Sequence, residues 1–240
     1  MTQQYVQTLR NAGIALLVVT VPDKSRVERD ALCGLVRAPG HDARLARWEA
    51  ELGKLGVPLV ELSSALQAGA PAFYRTDVHM SQRGAELAAR AVSDRASSIL
   101  TGPGTQRYEV STEGGPRPRP GDLLTLAGLD GVADGWRPAP DEETLQHVRP
   151  VASGGLLDEA PPVEILLAGS SNSRRSNFAE RIGADLARPI WNLSRDGGKF
   201  SDALVDALSK RTQWPASVRL VIWEMSEMAL SQPGAQATEK

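Results

Sequence analysis

Short continuous apolar runs alternate along this chain with stretches in which apolar residues recur every three or four positions. Ile14-Ala15-Leu16-Leu17-Val18-Val19 is a run of the first kind, partly β-branched and stopped by Val21-Pro22-Asp23, as expected of a strand buried on both faces. Leu45, Trp48, Leu52 and Leu55 then share one helical face over about 42–55. Residues 57–62 predict a second strand, and Ala85, Ala88, Ala89 and Val92 a helix that begins near Ser81. The second half repeats the rhythm. A strand over 163–168 leads into the turn Gly169-Ser170-Ser171-Asn172-Ser173, and Phe178, Ile182 and Leu186 mark the helix after it. A strand over 189–193, a glycine-bearing loop over 194–198, a helix carrying Leu204, Ala207 and Leu208, and a strand over 218–223 complete the series. This alternation predicts an α/β sandwich with a mainly parallel sheet, whose site lies beyond the carboxyl ends of the strands. On this reading the chain starts almost directly at its first strand, and the polar tail from Ser231 frays.

Residues 101–162 break the rhythm. Glycine and proline are dense there, and only Leu123-Leu124-Thr125-Leu126 suggests a short element. Too few apolar residues are present for a separate core, so the segment reads as a Gly/Pro-rich insertion or lid within a single domain spanning 1–240. The charge balance, 27 Lys plus Arg against 29 Asp plus Glu, leaves no footprint for nucleic acid or an anionic membrane. No apolar run approaches the ~20 residues that span a bilayer, so no membrane insertion is expected. One cysteine, Cys33, excludes an intramolecular disulfide and a multi-cysteine metal cage, and reads as a buried or inert thiol.

Two places offer chemistry. In Tyr74-Arg75-Thr76-Asp77-Val78-His79, an acid and an imidazole two positions apart in an extended loop can project to one side, the carboxylate holding one ring nitrogen while the other faces a substrate. Taken alone, Asp77 equally serves as the cap of the coming helix. In the turn after the 163–168 strand, a serine sits with its own N–H near a helix start, where an oxyanion can be held; Ser and Asn are also ordinary helix caps. The turn is neither a Walker loop nor a Gly-x-Ser-x-Gly elbow. Together the two places supply a nucleophile, a base and an orienting acid. A metal site at Asp77 and His79 has no further local ligand at suitable spacing, and no cofactor is called for.

The run 13–24, the helix ending at Leu55-Gly56-Val57, the Asp77-x-His79 phrase followed by Gly84-Ala85, and Gly169-Ser170-Ser171 resemble the SGNH-hydrolase-like domain of the alginate O-acetyltransferases of the AlgJ and AlgX type. The resemblance covers most of the chain except the Gly/Pro-rich middle. It implies a three-layer SGNH-like fold with circularly permuted order, Asp-x-His preceding the serine. It further implies Ser171 as nucleophile, His79 as general base and acid, Asp77 as its orienting carboxylate, and the backbone N–H groups of Ser171 and Gly197 as oxyanion hole. A polysaccharide acceptor, an acetyl donor or membrane acetyl-passing protein, and a periplasmic setting are implied as well, with a shortened chain as the reason for the absent leader. Arg174 and Arg175, at the start of the following helix, suit an anionic sugar, and Lys24 lies where it can face the site. Two departures stand out: Met80 where an aromatic often follows the family's histidine, and Glu224 where ordinary relatives offer an Asn as a third oxyanion donor. They motivate a rival reading as a catalytically inactive polysaccharide-binding or scaffold module.

Overall fold

A computed structural model of the chain describes residues 1–152 and 160–231. It opens with α1 (Thr2–Asn11), a helix ahead of the first strand where a direct start was expected. Only Val6 and Leu9 of α1 are buried, too thin an apolar stripe to stand out beside the run that follows. β1 (Ala15–Val21) leads through the one-turn α2 (Lys24–Val27) to α3 (Pro39–Lys54), which Pro39 starts without cost because its missing N–H has no partner there. β2 (Leu59–Glu61) is shorter than 57–62, since the Val57 N–H turns back to the Leu52 carbonyl and Pro58 has no N–H to give. α4 (Ser63–Ala68) and α5 (Gln82–Ser97) follow, the latter capped by Ser81 Oγ, which accepts the Gly84 N–H at 3.1 Å. Next come β3 (Tyr108–Arg119), α6 (Asp122–Leu126) and β4 (Asp141–Pro150). β5 (Ile165–Ala168), α7 (Phe178–Leu186), β6 (Ile190–Asn192), α8 (Asp202–Ser209) and β7 (Leu220–Ser226) follow.

Five strands form one sheet in the order β2-β1-β7-β5-β6, with every neighbouring pair parallel. Last in sequence, β7 takes the centre: Trp223 pairs with Val18 of β1 on one side and Ala168 of β5 on the other. Side chains alternate between faces with the period of two that a strand imposes. Leu17, Val19, Ile165, Leu167, Leu220 and Ile222 meet α4, α5 and α7, whereas Leu16, Val18, Leu166, Ala168, Val221 and Trp223 meet α1, α3 and α8. The result is the expected three-layer sandwich. On the second face Trp223 meets Phe200 and Trp48 edge-on, with ring centroids 5.2 and 6.0 Å away, which concentrates much of the sparse aromatic content in one cluster.

The Gly/Pro-rich middle is more ordered than its composition suggests. β3 and β4 pair antiparallel, outside the main sheet, from Tyr108 opposite Pro150 to Arg119 opposite Asp141. No strand was expected here, because β3 is exposed almost throughout and has no buried face to impose alternation. Its Gly114-Gly115-Pro116 lies where the register shifts between Glu113 and Arg117, with Gly114 at φ 65°. Pro116 and Pro118 are tolerated because β3 has only β4 as a neighbour, leaving an open edge where no N–H is required. The one expected short element, 123–126, falls inside α6.

Candidate active site

All carboxyl ends of the parallel strands point one way, and the loops beyond β1, β2, β5 and β6 carry the residues singled out above. Beyond β5, Ser171–Arg174 form a single turn of 3-10 helix, and α7 begins only at Phe178, after Ser176 and Asn177 in left-handed conformation. The Ser171 N–H is therefore not at the start of α7, as the sequence suggested. Instead the turn is held from beneath. Glu224 lies within β7 rather than after it and is 2% exposed. Its carboxylate accepts the Ser170 N–H at 2.7 Å, the Ser170 hydroxyl at 2.9 Å and the Ser173 hydroxyl at 2.7 Å. Burial pushes the Glu224 carboxyl up, against the pull of these hydrogen bonds. The residue that departs from the esterase pattern is thus the anchor of the turn that carries Ser171, and Gly169 is required above it.

The second half of the site is the loop between α4 and α5. A bridge between Phe73 and Met80 closes it, and the Ser81 N–H donates to the Ala72 carbonyl at 2.9 Å. Met80 is 1% exposed and belongs to the core under α5, so it shapes no acceptor pocket. Asp77 does not cap α5, since Ser81 does; its Oδ1 accepts the backbone N–H of His79 at 3.0 Å and faces the ring Nδ1 at 2.7 Å. Across the ring, His79 Nε2 lies 2.8 Å from Ser171 Oγ. With the proton on Nδ1, Nε2 is free to accept the serine hydroxyl.

The insertion completes this arrangement with residues the sequence did not single out. Arg119, at the end of β3, donates from Nη1 to Asp77 Oδ2 at 2.5 Å, stacks 4.0 Å over the Tyr74 ring and directs Nε at Glu143 Oε2, 3.3 Å away on β4. Tyr74 Oη and Gln82 Nε2 both donate to Glu143 Oε1. Asp141 accepts the N–H groups of Arg75 and Thr76 at 2.7 and 2.8 Å, and Gly121 passes so close that a Cβ there would lie 2.0 Å from the Thr76 carbonyl oxygen. Asp77 is 1% exposed; burial pushes its carboxyl up, but hydrogen bonds from His79 and Arg119 outweigh it and hold the group well below the usual carboxylate range.

Lys24 has a different place from the one expected. Its ammonium donates to the carbonyls of Tyr74, Arg75 and Asp77 at 2.7, 2.7 and 3.1 Å, so all three donors are committed to the Asp77–His79 loop and none to a substrate. Arg174 and Arg175 remain 47% and 42% exposed a few residues after the serine, and among the described residues their guanidiniums reach Asp196 alone, at 3.6 and 3.5 Å. The loop of Asp196 and Gly197 is tied to the Ser171 turn by the Arg195 N–H on the Gly169 carbonyl and by Asn192 Nδ2 on that of Ser173. Gly197 is exposed with φ 66°, and among the described residues neither its N–H nor that of Ser171 has a hydrogen-bond partner. Cys33 is exposed, at φ 51° after a 3-10 turn, not buried.

Folding also brings Asp122 of α6 to His79, its Oδ2 3.3 Å from Nδ1. Asp77, His79 and Asp122 thereby offer three ligand atoms within 4.8 Å of one another, a proximity invisible in sequence spacing. An ion there would have to break the Asp77–His79 hydrogen bond, because both ring nitrogens are engaged in the chain to Ser171. No helix among the described residues is long and apolar enough to cross a membrane.

The family described as "SGNH hydrolase-like domain, acetyltransferase AlgX" matches residues 1–227. A probable alginate O-acetylase AlgJ of Pseudomonas putida is 27% identical over 232 residues, covering 93% of this chain and 60% of the relative. The alginate biosynthesis protein AlgX of the same organism is 27% identical over 245 residues, 94% of this chain and 50% of its own length. The chain thus spans three fifths or less of these relatives. Among solved structures, the O-acetyltransferase domain of Pseudomonas putida AlgJ superposes with a TM-score of 0.84 at 24% identity, covering 100% of this chain and 84% of that one. Pseudomonas aeruginosa AlgX gives 0.71 at 21% identity, over 93% and 55%. Both likenesses show the fold.

Proposed function

Because the chain belongs to the family of the SGNH hydrolase-like AlgX acetyltransferase domain, we propose that it is a serine-dependent O-acetyltransferase acting on a polysaccharide through an acetyl-serine intermediate. One observation carries this reading: an unbroken chain from Asp77 through His79 to Ser171, at 2.7 and 2.8 Å. His79 Nε2 takes the Ser171 proton as Oγ attacks the acetyl carbonyl, and the carbonyl oxygen becomes an oxyanion that the N–H groups of Ser171 and Gly197 hold. Collapse expels the donor's leaving group, which takes the proton from His79. A sugar hydroxyl then gives its proton to Nε2 and attacks the acetyl-serine, and collapse of that adduct returns the proton to Ser171. Water in place of the sugar makes the same machinery an acetylesterase.

The exposed guanidiniums of Arg174 and Arg175 next to Ser171 suit the carboxylates of an acidic polysaccharide such as the alginate named for the relatives. An acetyl donor, or a membrane protein passing acetyl groups, and a periplasmic setting follow from the family resemblance. The whole described chain serves as one catalytic domain, with 101–162 inserted between the two halves of its site. The rival reading as an inactive binding module loses its motives, since Met80 is in the core and Glu224 supports the nucleophile turn. Incubation with a small acetyl ester should add one acetyl group to the intact protein by mass and release acetate. Ser171→Ala should abolish both; full activity in that variant overturns the assignment.

A further inference from the structure

We infer that Arg119, delivered by the β3–β4 hairpin, is a positioning residue of the acyl-transfer site that neutralises and orients the buried Asp77 carboxylate. The inference rests on the proposed function for its kinetic part and on geometry alone for the rest. An ionised carboxylate with 1% exposure is costly unless a cation and hydrogen bonds replace its water. A neutral imidazole supplies an N–H but no charge. The charged and titratable groups around Asp77 are His79 of its own loop, Lys24 of α2, Arg119 of β3, Asp141 and Glu143 of β4 and Asp122 of α6. Lys24 meets the Asp77 backbone carbonyl, and Asp141 and Glu143 bind other partners, so Arg119 is the cation on the carboxylate itself.

Geometry gives Arg119 a second task. His79 Nδ1 faces two carboxylates, Asp77 at 2.7 Å and Asp122 at 3.3 Å. By taking Asp77 Oδ2, Arg119 leaves Oδ1 to His79, which reaches it with both its backbone N–H and its ring Nδ1, and fixes the carboxylate plane, which in turn aims Nε2 at Ser171. The guanidinium is itself fixed by the Tyr74 ring on one face and Glu143 at Nε. The Gly/Pro-rich segment therefore supplies part of the catalytic apparatus, and docking of the hairpin is a condition of activity.

The test compares Arg119→Gln and Arg119→Lys with Arg117→Ala, a control two residues away whose 48%-exposed side chain meets, among the described residues, only Glu113. Readouts are kcat and KM for acetyl-ester hydrolysis across pH, and the low-field Nδ1–H resonance of His79 by NMR. Arg119→Gln is expected to lower kcat about 10- to 100-fold with KM changed less than about threefold. Loss of the cation favours protonated Asp77, so the acid limb of the rate profile should move to higher pH, and the low-field proton should broaden or move upfield. Arg119→Lys keeps the charge but not the fork, and should hold the acid limb near wild type with kcat a few-fold down. Folded Arg119→Gln protein with kcat within twofold of wild type and an unmoved acid limb overturns the inference. If that variant does not fold, Arg119→Lys carries the test, and an unchanged kcat overturns it. If wild type forms no acetyl-enzyme, the acyl-transfer reading fails by itself, and the His79 resonance still decides: identical spectra in wild type and variant overturn the role of Arg119.

Discussion

A single methyl group at position 169 would crowd the turn that carries Ser171. Its carbon would lie 2.5 Å from both Glu224 Oε2 and Ser173 Oγ, and both atoms are committed to the hydrogen bonds that hold the turn. Gly169→Ala is expected to cost about 2–3 kcal/mol, an overpacking penalty, and most acetyl-enzyme formation with it. Denaturant unfolding and intact-mass acetylation measure the two losses; a variant equal to wild type in both removes the turn's dependence on Glu224. At this scale the sequence singled out Asp77, His79 and Ser171 by residue type, order and family phrase, and the fold brings the three into one hydrogen-bonded chain. The sequence misled at Lys24 and Glu224. Position along the chain places Lys24 near the site, but only folding shows three carbonyls converging on its ammonium. Likewise, Glu224 looked like a missing donor, whereas its buried oxygens accept.

At the scale of elements, the end of β7 is fastened to α2 and α3 by one carboxylate. Fully buried, Glu227 accepts Arg26 Nη2 at 2.6 Å, Arg44 Nε at 3.0 Å and the Asp23 N–H at 2.8 Å. Burial pushes the carboxyl up, but the hydrogen bonds from Arg26, the Asp23 N–H and Arg44 overcome that and depress it. Its folded value then lies below its unfolded one near ~4.3, so its contribution is complete above that pH and fades as pH falls through the folded value. Glu227→Ala, which strands buried guanidiniums, should cost about 3–5 kcal/mol at pH 7 and progressively less below pH ~4. Urea unfolding at both pH values checks this; a penalty independent of pH contradicts the assignment. Buried strands such as β1, β5 and β7 were legible because burial on both faces writes a continuous apolar run into the sequence. The hairpin was not, because an exposed two-stranded arm needs no such run, and its Gly and Pro suggest a loop. Arg119, Glu143, Asp141 and Asp122 were missed for the same reason: nothing local marks a polar residue whose partner lies in another part of the fold.

Over the whole molecule, the layered architecture followed from the alternation of runs and helical faces, while the strand order did not, since parallel pairing leaves no local trace of which runs are neighbours. That order has a consequence in time. Chains are made from the amino terminus, and the central strand of this sheet is the one synthesised last. Until β7 emerges, β2-β1 and β5-β6 are two strand pairs with a strand-wide gap between them, and the Ser171 turn, joined to the His79 loop through Ser176 and Met80, lacks the Glu224 carboxylate that holds it from beneath. Until that strand is made, the facing edges of both pairs are open to any passing strand. A chain terminated after residue 215 is expected to show no cooperative unfolding transition and no acetyl-enzyme, and adding the missing segment as a peptide should restore some of both. Cooperative melting of the shortened chain alone would mean that one pair folds without the strand that closes the sheet.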